Sequence, residues 1–496
     1  MNECTITLTG HNQCKLVTDD FHRFKIFQEK FHTTQWRPDR WKKFRPTVVS
    51  PISPTGGFKL GLFRDVYMVA KEIFETVYVN NCITKKLIPL HALGYHNCIL
   101  SVTAKKFVYF KEQLVALEKL LQLGRGIVVS PCASGKSLII AGLCWNLYNK
   151  LPRAKFESIL LIVPTRQLVT QMYKDFVEYG LGNITQEFTS GATTIQKNCA
   201  IIISNRQWLA LHSEELPTTS IVIADECQSL ASNNKVTEYV NSLQTDLRFG
   251  FTATLPSDKY EYHEIKGVIG PVIAKYNYQD MSENRNIVPV NMTSVLFKFN
   301  TALPQIKQLY DVTEREKFDN LRVKYDREYE FFLNSNKVMI SLLNFVGSLQ
   351  GNTLFLFDYL KIRDLIREHY LEIPDIIEGK ICHFIDGSIP INTREEIRTE
   401  LSKNKNIIVF AQAQTMGVGI NVPNLDNVVL FFVTKSPVKT IQAVGRAMRS
   451  FTNKTSANIY DVSSNLRYSR KHFSERQKHY LQNFGKQITI EKVLHS

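Results

Sequence analysis

A short apolar run, Gly126-Ile-Val-Val129, passes through Ser130-Pro-Cys-Ala-Ser134-Gly135-Lys136-Ser137 directly into a second apolar run from Leu138 to Trp145. A strand that gives way to a glycine-containing loop and at once to a buried helix is a βα unit. Such units pack in a mostly parallel sheet covered by helices on both faces. The loop also carries chemistry, because its backbone N–H groups and the helix N-terminus form a cradle for phosphate oxygens. Within it, Ser134, Gly135, Lys136 and Ser137 are candidate nucleotide contacts: Lys136 reaches toward β- and γ-phosphates, and the Ser137 hydroxyl is suited to Mg2+. Ser130 stands where the general pattern has its first glycine.

The same alternation recurs along the chain. Apolar strand candidates lie at Ile159 to Val163, Ala200 to Ile203 and Ile221 to Ala224, and a second series at Thr353 to Phe357, Ile407 to Phe410, Val428 to Val433 and Asn458 to Val462. Two doubly wound α/β units are therefore expected, and a chain of 496 residues has room for them and a smaller domain. The first hundred residues lack the pattern and read as a small α+β domain. Its helices are marked by Phe21, Phe24, Phe27 and Phe31 after Asp19 and Asp20, and by Val66, Val69, Ala70, Ile73, Phe74 and Val77. The expected boundaries are 1–100, 101–290, 291–463 and a basic tail at 464–496, and the two α/β units are compatible with a duplication.

Two acids close the strand Ile221-Val-Ile-Ala-Asp225-Glu226, where burial would make carboxylates costly unless they are used. Next to a phosphate loop, Asp225 is suited to Mg2+ and Glu226 to orienting and deprotonating the attacking water. Charge points to a polyanion. The net charge is +15, yet residues 1–100 hold 14 Lys and Arg against 8 Asp and Glu, and residues 464–496 hold 7 against 2. Between Trp36 and Arg45, the cations Arg37, Arg40, Lys42, Lys43 and Arg45 alternate with aromatics, a mixture suited to stacking on bases while neutralising phosphates. A solvated loop with packed tryptophans is the alternative there. The nine cysteines form no C-x-x-C pair or zinc-ligand spacing, and no apolar run approaches a membrane span, so a cytoplasmic protein without structural zinc is expected.

Asp225-Glu226-Cys227-Gln228 resembles the D-E-x-H/Q box of superfamily-two helicases, and further boxes follow in that family's order from about residue 105 to 463. Gln113 is similar to the glutamine that reads adenine. Val163-Pro-Thr165-Arg166-Gln-Leu168 resembles the box that touches the nucleic-acid backbone, and Thr252-Ala-Thr254 the box that couples hydrolysis to movement. Thr415-Met-Gly417-Val-Gly419-Ile-Asn421 resembles the fifth box and Gln442-Ala-Val-Gly445-Arg446-Ala-Met-Arg449 the sixth. The resemblance implies two RecA-like domains with ATP and Mg2+ in the cleft between them. It also implies nucleotide contact from Gly419, nucleic-acid contact from Thr415, and catalytic roles for Gln442, Arg446 and Arg449. Two departures stand out: Asn421, where aspartate is frequent, and Glu112, where an aromatic is common before the glutamine.

Within that superfamily the order of a small basic N-terminal domain followed by two motor domains resembles the phage UvsW-type branch-migration helicases. This implies an ATP-dependent DNA helicase of the host-cell cytoplasm that remodels branched DNA by branch migration, fork regression or D-loop and R-loop dissociation, in recombination, repair or replication. The rivals are a double-stranded DNA translocase, an RNA helicase and a non-enzymatic clamp; the box is not the Asp-Glu-Ala-Asp of the commonest RNA-unwinding group. Position alone makes Leu255 to Val290 a candidate for a strand-separating hairpin. Leu466 to His472 reads as a helix that either contacts duplex or docks on the second unit.

Overall fold

The computed structural model describes residues 2–38, 44–80, 83, 101–102, 105–151, 156–189, 199–231, 234–283, 287–311, 320–372, 377, 379–413, 424–431, 444–445, 454–485 and 490–495. The chain divides into two compact units, Met1–Pro131 with Gly135–Tyr276 and Cys132–Ser134 with Asn277–Ser496, so the continuous part of the second begins at Asn277. That junction falls earlier than expected because the helix Tyr278–Glu283 belongs to the second unit. The Tyr278 ring meets Phe484 edge-on at 5.3 Å, and its hydroxyl accepts the Val290 N–H at 2.9 Å.

The N-terminal domain builds a four-stranded sheet in the order β5-β2-β1-β6 from β1 (Glu3–Gly10), β2 (Gln13–Val17), β5 (Gly57–Lys59) and β6 (Thr76–Val79). A separate antiparallel ribbon is made by β3 (Thr33–Pro38) and β4 (Phe44–Val49). The helix Phe21–Glu29 is capped by Asp20, which accepts the Arg23 N–H at 3.0 Å. Phe27 and Phe31 enter the core with Val66, Ala70 and Phe74 of the second stripe. Phe21 does not; as the first helical residue it projects from the end of the helix and is 79% exposed.

A short pair, β7 (Ser101–Val102) and β8 (Lys105–Lys106), precedes the first α/β sheet. That sheet takes β9 (Arg125–Val129), β10 (Ile159–Val163), β11 (Thr185–Phe188), β12 (Ile201–Asn205), β13 (Ile221–Asp225), β14 (Leu247–Thr252) and β15 (Val272–Lys275) in the order β11-β12-β10-β13-β14-β9-β15. All its ladders are parallel. Alternate strand residues serve two cores: Val128, Leu161 and Ile203 pack against Leu120, Ile139, Leu143 and Phe176. Ile127, Leu160 and Ile202 pack against Trp208, Val240 and Ile265 on the other face. Burial on both faces explains why these strands read as continuous apolar runs. No hairpin lies between Leu255 and Val290 among the described residues, which form the helix Lys259–Val268, β15 and the helix Tyr278–Glu283.

The N-terminal domain is fastened to this sheet. Asn12, 2% exposed, donates to the Asn241 side chain at 3.1 Å and to the Gly267 carbonyl at 3.3 Å, and accepts from Arg125 Nη2 at 3.0 Å. Arg125 also donates to the Ile269 carbonyl at 2.9 Å. Burial pushes its pKa down to about 10, so the guanidinium keeps its charge beside the carbonyl end of the helix Lys259–Val268. Lys59–Glu264 and Lys266–Asp65 each close at 2.5 Å around it. A Cβ on Gly61 would come within 2.0 Å of the Lys266 carbonyl oxygen, so the two surfaces touch backbone to backbone.

The second unit holds β16 (Val290–Lys298), β17 (Thr353–Phe357), β18 (Ile381–Ile385), β19 (Ile407–Gln412), β20 (Asn427–Phe431), β21 (Ala457–Ser464) and β22 (Ile490–His495). Their order is β18-β19-β17-β20-β21-β16-β22, again all parallel. Numbered within its own unit, each sheet reads 3-4-2-5-6-1-7, so β22 is the counterpart of β15. The segment expected as a basic tail is thus a helix, Arg467–Phe484, and the last strand of the sheet. Arg476 and Asp461, each 1% exposed, pair at 2.9 and 2.6 Å, and the Tyr480 hydroxyl donates to the same carboxylate at 2.6 Å. At the helix start, Glu328 accepts the N–H groups of Tyr468 and Ser469. Among the described residues no helix is long and apolar enough to cross a membrane.

Candidate nucleotide site and nucleic-acid contacts

Neighbouring parallel strands deliver their C-terminal ends to one edge. In the register of β13, β14 and β9, Asp225 lies opposite Phe251 and Thr252 opposite Val129, while the Ser130 N–H donates to the Thr252 carbonyl at 2.9 Å. The phosphate loop, the acid pair and the Thr-Ala-Thr segment therefore meet in three dimensions although 124 residues separate Ser130 from Thr254 in sequence.

The loop turns through left-handed backbone at Ala133 (φ 65°) and Gly135 (φ 74°). Glycine suits position 135 because its left-handed backbone strains an L side chain, and a Cβ would also push on Gln113 Nε2 at 2.5 Å. The Lys136 ammonium donates to the carbonyls of Ser130 and Pro131, each at 3.2 Å, spanning the mouth of the loop. The Ser137 hydroxyl lies 3.3 Å from that of Tyr179, whose proton is held by burial, with a pKa pushed up to about 12. Ser134 is 1% exposed. Gln113, 2% exposed, accepts the Phe110 N–H at 2.8 Å and lies 3.5 Å from the Gly135 carbonyl, tying its helix to the loop.

Burial, reinforced by the charge of Glu226 and offset by that of Lys136, raises the Asp225 pKa to about 7. Its Oδ1 is buried without a hydrogen-bond partner. An orphaned carboxylate oxygen on the loop side of the sheet is what a divalent cation would satisfy, so Asp225 and Ser137 fit Mg2+. Among the described residues no group of three or more His, Cys, Asp or Glu side chains is gathered to hold a metal, so water and phosphate oxygens would complete the shell. Glu226 has left-handed backbone (φ 50°), and its carboxylate accepts from Gln228 Nε2 at 2.7 Å. The Thr252 hydroxyl lies 2.6 Å from Gln228 Oε1 and 2.8 Å from the Thr254 carbonyl, and accepts the Thr254 N–H at 3.0 Å. Gln228 thus joins Glu226 to Thr252. The sequence flagged Gln228 only as the last letter of its box, and nothing in the sequence marked Tyr179.

Thr165 and Arg166 open the helix Arg166–Tyr179 after β10; the Thr165 hydroxyl is buried without a partner and Arg166 is exposed. Arg37 and Arg45 face each other across the ribbon of β3 and β4, and both are exposed. Arg40, Lys42, Lys43, Thr415, Gly419, Gln442, Arg446 and Arg449 lie outside the described residues.

Strands β9 to β14 of the first α/β sheet fall within a match to the family model described as "Type III restriction enzyme, res subunit", over residues 106–257, and β15 follows it. The second unit carries "Helicase conserved C-terminal domain" over residues 337–451. The chain is a superfamily-two helicase. Among its relatives is the ATP-dependent DNA helicase uvsW of Enterobacteria phage T4, 24% identical, the match covering 74% of this chain and 71% of that one. The helicase also shares its fold with the ATP-dependent Type ISP restriction-modification enzyme LlaBIII bound to DNA (TM-score 0.56, 14% identity, 88% of this chain and 36% of that one). Dbp5 of S. cerevisiae bound to RNA and ADP BeF3 is a second such structure (TM-score 0.51, 14% identity, 78% and 89%). These likenesses agree with the two all-parallel sheets: both α/β units are RecA-like.

Proposed function

We propose that this helicase hydrolyses ATP with Mg2+ to move on DNA and remodel branched junctions. The observation that carries the reading is the convergence of Lys136, Ser137, Asp225 and Glu226 at one sheet edge, with Gln228 joining Glu226 to Thr252. Lys136 neutralises the β- and γ-phosphates, and Ser134 and Gly135 give the loop its shape. Ser137 and Asp225 would hold Mg2+, which when bound would supply charge neutralisation at the phosphate oxygens. Glu226 orients the attacking water and takes its proton. Loss of γ-phosphate changes what Glu226 faces, and the Gln228 link passes that change to Thr252 and Thr254. Gln113 is assigned to the base, and Gly419, Gln442, Arg446 and Arg449 are assigned to nucleotide binding and hydrolysis.

DNA, rather than RNA, is favoured by the relative named a DNA helicase and covered over 71% of its length. Thr165, Arg166, Thr415 and the cations of the Trp36 to Arg45 stretch are assigned to the polyanion. The branched substrate, and with it a place in recombination, repair or replication, is the reading suggested by the UvsW-type order of a small basic N-terminal domain and two motor domains. The test is ATPase rate on single strands, duplex, a four-way junction and RNA, beside a gel assay of strand exchange. Junction-stimulated turnover with branch movement is expected. Stimulation by plain duplex without strand rearrangement would replace this reading with a translocase, and stimulation by RNA alone with an RNA motor.

A further inference from the structure

We propose that the ribbon of β3 and β4 is the element that parts the strands of a DNA fork, with Trp36 stacking on the last base pair. This rests on the reading that the helicase acts on branched DNA. In an antiparallel pair, residues directly opposite share a face, and the register places Trp36 opposite Pro46 and Thr34 opposite Val48. Trp36 is 68% exposed and Val48 62%, so this face is an apolar ridge open to solvent. By contrast, Trp208 is 6% exposed and Trp145 packs against the first core. A tryptophan left 68% exposed on an apolar ridge gains little from packing and is suited to a π-faced partner.

The opposite face is occupied. Gln35 donates to Asp258 Oδ1 at 2.7 Å, and the Arg37 guanidinium lies over the Tyr260 ring at 5.3 Å. An isolated two-stranded ribbon is marginal in water, and these contacts hold this one to the helix Lys259–Val268. Asp258 caps that helix, accepting the Glu261 N–H at 2.9 Å, and stands four residues beyond Thr254. The ribbon is thus attached at the sheet edge that carries Thr252 and the phosphate loop. Arg37 and Arg45, exposed and opposite each other in the ribbon, add positive charge that suits a phosphate backbone near a stacked base. Simple backbone grip would need the cations but not the exposed indole.

The experiment uses the full chain and a forked DNA with 2-aminopurine at the junction. Trp36→Ala is expected to abolish the ATP-independent fluorescence rise and to slow fork unwinding about tenfold or more, while single-strand-stimulated ATPase and single-strand translocation stay within about twofold. Trp36→Phe, which keeps a ring, is expected to retain most of both signals. Unwinding by Trp36→Ala within about twofold of the unmodified chain would overturn the proposal, as would translocation falling in step with unwinding, or Trp36→Phe behaving as Trp36→Ala. An unmodified chain inert on every DNA would instead bring down the DNA reading, and the ribbon's role with it.

Discussion

Replacing Arg476 by methionine leaves the Asp461 carboxylate, 1% exposed, bonded to the Tyr480 hydroxyl but stripped of its guanidinium. The guanidinium now gives it two bonds, at 2.9 and 2.6 Å; burial opposes its charge, but Asp461 and Tyr480 more than restore it. Breaking a buried pair on one side costs about 3–5 kcal/mol, because the surviving charge has lost both water and partner. For a unit of about 220 residues, each kcal/mol moves the melting point by about 2–4 °C, so a fall of roughly 6–20 °C is expected. All four tryptophans, Trp36, Trp41, Trp145 and Trp208, belong to the first unit, so their fluorescence follows that unit while far-UV dichroism follows both. The dichroism transition of the second unit should drop while the tryptophan transition stays in place. Adding Asp461→Leu, which removes the stranded charge, should recover much of the loss. A shift below about 3 °C, or no recovery in the double variant, would mean that water reaches the pair and that burial has been given too much weight.

Lys136→Ala and Glu226→Gln should each lower ATP turnover about a hundredfold or more while DNA affinity in a filter-binding assay stays within about threefold. Parallel loss of both would show that the nucleotide loop itself grips DNA. Thr252→Val keeps shape but removes the hydroxyl beside Gln228 and Thr254; hydrolysis should persist while base pairs opened per ATP fall about tenfold, and an unchanged ratio would refute the link. In the second unit, burial raises the Asp386 pKa, but hydrogen bonds from Ser388 and the ion pair with Arg363 outweigh it and bring the group down from 3.8 to about 2. Its contribution to stability is therefore complete above the unfolded value and lost as pH falls toward about 2. Urea midpoints of the unmodified chain should drop between about pH 4 and pH 2.5 more steeply than those of Asp386→Asn, and parallel curves would refute this.

The two-sided strands were legible because burial on both faces leaves a continuous apolar run, as in β10 and β13. The nucleotide edge was legible because loop, acids and Thr-Ala-Thr are local patterns, each set at the end of such a strand. What escaped was held by polar or distant contacts. The helix Arg467–Phe484 buries Arg476, Tyr480 and Phe484 at a four-residue spacing. Two of those three are polar, so the stripe reads as surface until Asp461 is seen beside it. Gln35 and Asp258 are 223 residues apart, and neither carries a motif. Position points to a strand-separating hairpin after the Thr-Ala-Thr box, whereas the exposed ribbon comes from the N-terminal domain and is docked on the helix that follows that box.

The closing place of β22 beside β16 sets an order on biosynthesis. Thr293 pairs with Ile490, so a strand made early in the second unit waits for almost all of the rest before its far side is covered. The first unit carries no such delay past Lys275, where β15 ends. During translation the helicase therefore exists for a time as a finished first motor domain attached to an open sheet, and an open strand edge is a template for pairing with another copy. A premature stop after Ser464 does not trim a dispensable basic extension. It releases a chain with the β16 edge uncovered, so nonsense changes between Asn465 and Ile490 should act through aggregation or degradation rather than through weakened DNA binding.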